Sequence, residues 1–200
     1  MCGSTTDSII AGSIICGVAA TFVFSDKREY IWLGSLLFVV GTIQFMDALL
    51  WTFKSRGIST DFITRYGIIT ILLLEPIVAY LGYVYYYGPS GRMPIYEVIL
   101  ALAIIAGAYL WITTCKETTT TKDGYLKWCN FDFIAFLKIT FLVLLLFPLL
   151  FFPNLLQKIV LLTLTAGTWL YNFNHEAFGS RWCYSSVAYS IAGLLIFLLQ

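Results

Sequence analysis

The feature that most restricts this chain is a succession of apolar runs, each close to the length of a membrane span and separated by short polar connections. About 20 apolar residues wound as a helix match the thickness of a bilayer core. Within that core each backbone N–H and C=O needs a partner in its own segment, so the helix is the form such a run takes. The sequence therefore predicts an all-α protein, a polytopic transmembrane helix bundle of seven spans forming a single domain over 1–200. The runs lie at roughly 7–24, 30–52, 62–87, 94–114, 133–152, 154–174 and 183–199. Only FPLLFFPNLL divides the fifth from the sixth, where Pro153-Asn154 predicts a turn and Pro148 a kink inside the fifth helix. Without that turn the two runs form one re-entrant element, and the spans number six.

Composition agrees. Of the 200 residues 60% are hydrophobic and 12% charged, against about 25% charged in soluble domains. A net charge of +1 offers nucleic acid no basic surface. Trp and Tyr gather toward the ends of the apolar runs and read as interfacial anchors. The leading MCGSTTDS has no basic segment and no small-residue cleavage pattern, so the first run is expected to remain as a helix. Met1-Cys2 lacks the second-position Gly of a myristoylation signal, and Cys2 is expected to be unmodified.

Orientation is read from Lys and Arg in the connections. Lys54, Arg56, Arg65, Lys116, Lys122, Lys127 and Arg181 fall on the side of the N-terminus, while Lys27, Arg28, Arg92 and Lys158 fall opposite. This excess predicts a cytoplasmic N-terminus and an external C-terminus, although SDKREY in the first connection argues the other way. Cys2, Cys115, Cys129 and Cys183 would then face a reducing compartment, with Cys16 inside the first helix, and no disulfide is expected. The longest polar stretch, 115–132, reads as a solvated turn around Lys122-Asp123-Gly124.

Candidate chemistry begins with ILLLEPIVAYLG, where Glu75 precedes Pro76 in the middle of an apolar run. A carboxylate at mid-bilayer costs about 2.5–3.5 kcal/mol on insertion scales and usually faces protein or water. Pro76 removes a backbone donor and leaves the carbonyl of Leu72 without its helical partner. In the second helix Gln44, Asp47 and Trp51 share a face. Asp47 serves either as an inner-mouth acid or as the partner of Lys54 or Arg65. In the sixth, Thr165, Thr168, Asn172 and Glu176 fall on one face beside His175, the chain's sole histidine. Gly179-Ser180 is expected to break the helix before the seventh, which carries Ser186, Tyr189 or Ser190, and Gly193 on one side. Ser8, Gly12, Cys16 and Ala20 give the first helix a small-residue face, read as simple packing.

These residues support two arrangements. In one, a polar inner vestibule leads toward Glu75, with Asp47, Gln44, Thr168, Asn172, Glu176 and His175 along a path for protons, cations or a small polar solute. In the other, the same groups hold the bundle through hydrogen bonds and a Glu75–Lys138 pair. The preferred expectation is a small channel or transporter. The alternatives are a receptor-like or scaffolding protein whose 115–132 loop takes a partner, and an intramembrane lipid-modifying enzyme using Asp47, His175 and Glu176 as acid and base. Such an enzyme predicts a lipid-sized groove reaching His175.

One histidine without a Cys-x-x-Cys gives no metal motif, and nucleophile elbows and phosphate-cradling Gly loops are absent. The seventh run has no lysine to hold retinal. No cofactor is expected. The expected partners are the lipid bilayer, a proton, cation or small polar solute, and a further copy of the chain.

The motifs FMDALLW, LLLEPI and NHEAFGSRWC together resemble a group of seven-helix membrane proteins encoded by large DNA viruses. The matching positions are Asp47 and Trp51, Glu75 and Pro76, and Gly179, Ser180, Trp182 and Cys183. The resemblance implies a multipass membrane protein and carries no activity with it.

Overall fold

The computed structural model describes residues 4–129 and 134–198, which are mainly helical. Seven α-helices are found among the described residues: α1 Thr5–Val23, α2 Arg28–Ser55, α3 Ile69–Tyr87, α4 Pro94–Thr114, α5 Ile134–Leu149, α6 Leu155–Asn172 and α7 Phe178–Leu198. A π-helical turn, Ile63–Ile68, runs directly into α3. Five segments are long and apolar enough to cross a membrane: α1, α2, α4, α7 and the continuous Ile63–Tyr87. The expected all-α bundle is present, and five of the seven expected spans are found at membrane length among the described residues. The described part of α5 has 16 residues, about 24 Å of helix against a core of about 30 Å. Helix α6 interrupts its apolar character with Gln157, Lys158, Thr165, Thr168 and Asn172. The expected turn at Pro153-Asn154 does separate them, because Asn154 caps α6 by accepting from the Gln157 backbone N–H at 3.0 Å. Pro148 lies inside α5 as expected, in its last turn.

The helices meet through residues without bulk. A Cβ on Gly41 would stand 2.7 Å from Cys16 Sγ, and one on Gly34 would stand 2.7 Å from the Ala19 carbonyl, so α1 and α2 lie in close contact. The packing reading of the small-residue face of α1 therefore holds. At the α2–α3 crossing a Cβ on Gly82 would lie 1.8 Å from the Trp32 ring. Trp32, Trp169 and Trp182 are buried, which corrects their reading as interfacial anchors. Tyrosines do occupy the periphery, Tyr85, Tyr87, Tyr109 and Tyr171 among them. Helix α4 is the loosest member: only Tyr96, Leu100 and Gly107 are buried, while Ile95, Val98, Leu102 and Ile105 face outward.

Lys122-Asp123-Gly124 is the expected exposed turn, but it is the tip of a closed and partly buried hairpin over 115–129. Thr119–Thr120 pairs antiparallel with Leu126–Lys127, and Cys115 is bonded to Cys129, where no disulfide was expected. The closed hairpin folds back on the end of the bundle that carries the N-terminus. Leu126 and Trp128 are buried, and a Cβ on Gly179 would stand 2.3 Å from the Trp128 ring. Thr118 N donates to Thr60 Oγ1 at 3.1 Å, and the Thr64 and Thr118 hydroxyls bond at 2.7 Å. Trp111 Nε1 donates to the carbonyl of Thr64, within the π-helical turn, at 2.8 Å. Apolar burial and these bonds replace the solvation expected of a polar loop. Met1, Cys2 and 130–133 lie outside the described residues, as do the side chains of Cys183 and Tyr189.

Candidate functional site

A chamber of about 490 Å³ lies between α3, α4, α5 and the start of α7, under the disulfide-closed hairpin. That volume falls in the usual range of small-molecule sites, about 300–1,000 Å³. Its walls are mainly apolar. Leu72, Leu73 and Pro76 come from α3, Ala103, Ile104 and Gly107 from α4, and Phe141 and Leu144 from α5. Its polar rim is at the hairpin end, where Lys127, Lys138, His175 and Glu176 meet it. The chamber exists because α4 stands off from α5. Across that gap Tyr96 Oη donates to the Leu144 carbonyl.

Aromatic rings build the far wall. Phe141 stacks on Trp169, whose ring meets Phe178 and Trp182 edge-on with centroids 4.5 and 5.0 Å away. Lys138 comes off the first turns of α5 into this wall. Its Nζ donates to the Phe173 carbonyl at 2.7 Å and stands 4.3 Å from the centre of the Phe178 ring. No acidic side chain among the described residues forms an ion pair with it. The expected Glu75–Lys138 pair is therefore not formed.

The sequence-predicted residues divide into three groups. Glu75, Asp47 and Gln44 are fully buried in the bundle core. Both Glu75 oxygens lack a hydrogen-bond partner, and although its neighbours Leu72 and Pro76 line the chamber, Glu75 does not. Trp128 Nε1 donates to Asp47 Oδ1 at 2.6 Å, while Asp47 Oδ2 and the nearby Ser180 hydroxyl are buried without hydrogen-bond geometry to a partner. The expected partners of Asp47 are engaged elsewhere: Lys54 donates to the Thr118 carbonyl, and Arg65 pairs with Asp61 at 2.7 Å.

Thr168 and Asn172 form the second group and spend their polarity inside α6. The Thr168 hydroxyl bonds back to the Leu164 carbonyl at 2.6 Å, and Asn172 Nδ2 donates to the Thr168 carbonyl at 2.8 Å. Neither lines the chamber.

His175 and Glu176 form the third. Helix α6 ends at Asn172, so both lie in the turn before α7, and Glu176 leaves the face it was expected to share. The helix break thus falls before Gly179-Ser180, which are already inside α7. His175 Nδ1 accepts from the Ala177 N–H at 3.0 Å, and its Nε2 stands 3.5 Å from Asp123 on the hairpin. Glu176 faces Lys127 across 3.8 Å. The three-residue cluster of Asp47, His175 and Glu176 is not assembled, because Trp128 takes Asp47 inside while the other two remain at the rim.

A groove reaching His175 is nevertheless present. The sequence reading gave Lys138 a place only as a partner for Glu75, and it gave Trp128 none. A tryptophan within a polar loop, next to a cysteine, was the available signal. Among the described residues no group of three or more His, Cys, Asp or Glu side chains comes together. Comparison with family models, curated proteins and solved structures gives no match for this chain.

Proposed function

We propose that this chain is a multipass membrane protein that takes a small amphiphilic molecule into the chamber and passes it between the bilayer and the aqueous face at the hairpin end. The observation that carries this reading is the union, in one cavity, of apolar walls on α3, α4 and α5 with a polar rim of Lys127, Lys138, His175 and Glu176. The sparse packing of α4 supports lateral entry from lipid. Four of the six tryptophans, Trp111, Trp128, Trp169 and Trp182, line the chamber and serve as reporters. Protein in lipid nanodiscs should show saturable quenching by a brominated alkyl maltoside. Quenching that grows only with the lipid-phase concentration contradicts the reading.

A second reading, movement of protons or cations, is favoured by Glu75, a fully buried carboxyl with neither oxygen partnered. It requires a rearrangement that opens the chamber past Pro76 to the adjacent Glu75. Flux in proteoliposomes under imposed pH and potassium gradients should then be present in the wild type and lost in Glu75→Gln. Absence of flux in folded wild-type protein retires this reading.

For orientation we favour the opposite of the basic-residue bias. Disulfides persist in oxidising compartments, and Cys115–Cys129 closes a hairpin at the N-terminal end of the bundle. That end, with both the hairpin and the chamber rim, is assigned to the external or lumenal side, and the 88–93 and 150–154 connections to the cytoplasm. The basic residues opposing this assignment are in part structurally engaged, Lys54 with Thr118 and Arg65 with Asp61.

A further inference from the structure

Building on the chamber as an amphiphile site, we infer that its ligand carries an anionic headgroup, with Lys138 as the counter-charge. The carboxylate and phosphate-monoester forms of a single-chain amphiphile share this chemistry. Three observations lead there. Lys138 is a half-buried ammonium on the chamber wall, and its hydrogen bond goes to a neutral carbonyl, that of Phe173. An ammonium donates three hydrogen bonds, so donors remain for an incoming oxygen. Among the described residues its surroundings are the rings of Phe173 and Phe178 at 5.2 and 4.3 Å, which attract a cation but cannot neutralise it.

The rim supplies a second cation. Lys127 also lines the chamber, and its acidic neighbour Glu176 is largely solvent-exposed, 3.8 Å away. His175 offers a ring nitrogen directed at the exposed Asp123 rather than held in the core. The rim therefore presents two ammonium groups and an imidazole beside two solvated carboxylates, Glu176 and Asp123, while Lys138 has neither of them as its partner. Directly beneath it, the apolar wall of Phe141, Leu144, Ile104 and Leu73 fits a hydrocarbon chain. A cationic amphiphile would bring its charge against Lys138 without compensation.

The test compares brominated dodecanoate, brominated dodecyl phosphate and brominated dodecyltrimethylammonium as quenchers of the chamber tryptophans, in zwitterionic nanodiscs. Both anions should bind more tightly than the ammonium compound by at least about tenfold. Lys138→Met should abolish that preference and Lys138→Arg should retain it, since one buried charge contact supports a difference of this size. The relative affinity of the two anions assigns the natural headgroup to carboxylate or phosphate. Each variant's unfolding temperature is measured alongside. If Lys138→Met fails to fold, the same comparison is made with wild-type protein after reductive dimethylation and after acetylation of its lysines, of which only acetylation removes the charge. Equal binding of anionic and cationic probes overturns the headgroup assignment while leaving the chamber reading intact. No saturable binding of any amphiphile, the maltoside included, overturns both.

Discussion

At Asp47 a hydrogen bond from the hairpin steadies a buried carboxyl. Trp128 Nε1 reaches Oδ1 at 2.6 Å, with the Ser180 hydroxyl nearby. Trp128→Phe deletes the donor and part of the buried ring, so it should cost at least about 1–3 kcal/mol of stability, the usual penalty for orphaning a buried polar group, with a cavity cost added. In an Asp47→Leu background the same change should cost much less, and a double-mutant cycle by thermal unfolding reads the difference. Equal costs in both backgrounds would separate Trp128 from Asp47 energetically. Position in the sequence identified Asp47 and Glu75 as unusual, since an acid within an apolar run is visible without a structure. It could not show that their partners lie elsewhere, because Trp128 is 81 residues from Asp47. Nor could it distinguish Thr168 and Asn172, whose polarity is absorbed by the preceding turn of α6, from groups facing a path.

Among the elements, α2 and α3 cross closely at Gly82 while α4 stands off from α5, and the chamber follows from that contrast. Gly82→Ala would drive a methyl group into Trp32, to which an added Cβ would come within 1.8 Å. Overpacking of this kind typically costs about 1–3 kcal/mol, and the unfolding temperature of Gly82→Ala should fall accordingly. Gly107 shows the opposite behaviour: the nearest atom to an added Cβ is Leu73 Cδ2 at 3.8 Å, so the site has room. The helices themselves were legible from apolar run length and from the Pro153-Asn154 break. The hairpin was not, since CKETTTTKDGYLKWCNFD has the composition of a solvated loop. Its burial depends on a disulfide and on threonine hydrogen bonds to residues more than fifty positions away. The turn ending α6 was misplaced by a few residues, because Asn172 to Glu176 contain no glycine or proline to mark the stop.

On the scale of the whole molecule, an amphipathic chamber, a disulfide-closed cap and five membrane-length segments form one consistent arrangement. The cap places the chamber rim at one end of the bundle, and its disulfide argues that this end meets an oxidising compartment. In intact cells, a membrane-impermeant reductant followed by an impermeant maleimide should therefore label Cys115 and Cys129. Labelling only after permeabilisation would restore the orientation given by the basic-residue bias. The most direct test of the central claim is native mass spectrometry of protein extracted with its co-purifying lipids, wild type against Gly107→Phe. Gly107 lines the chamber and has room for a Cβ, so a phenylalanine there is expected to take up chamber volume. The account predicts one amphiphile bound per wild-type chain and none on folded Gly107→Phe. The same occupancy in both proteins would contradict it.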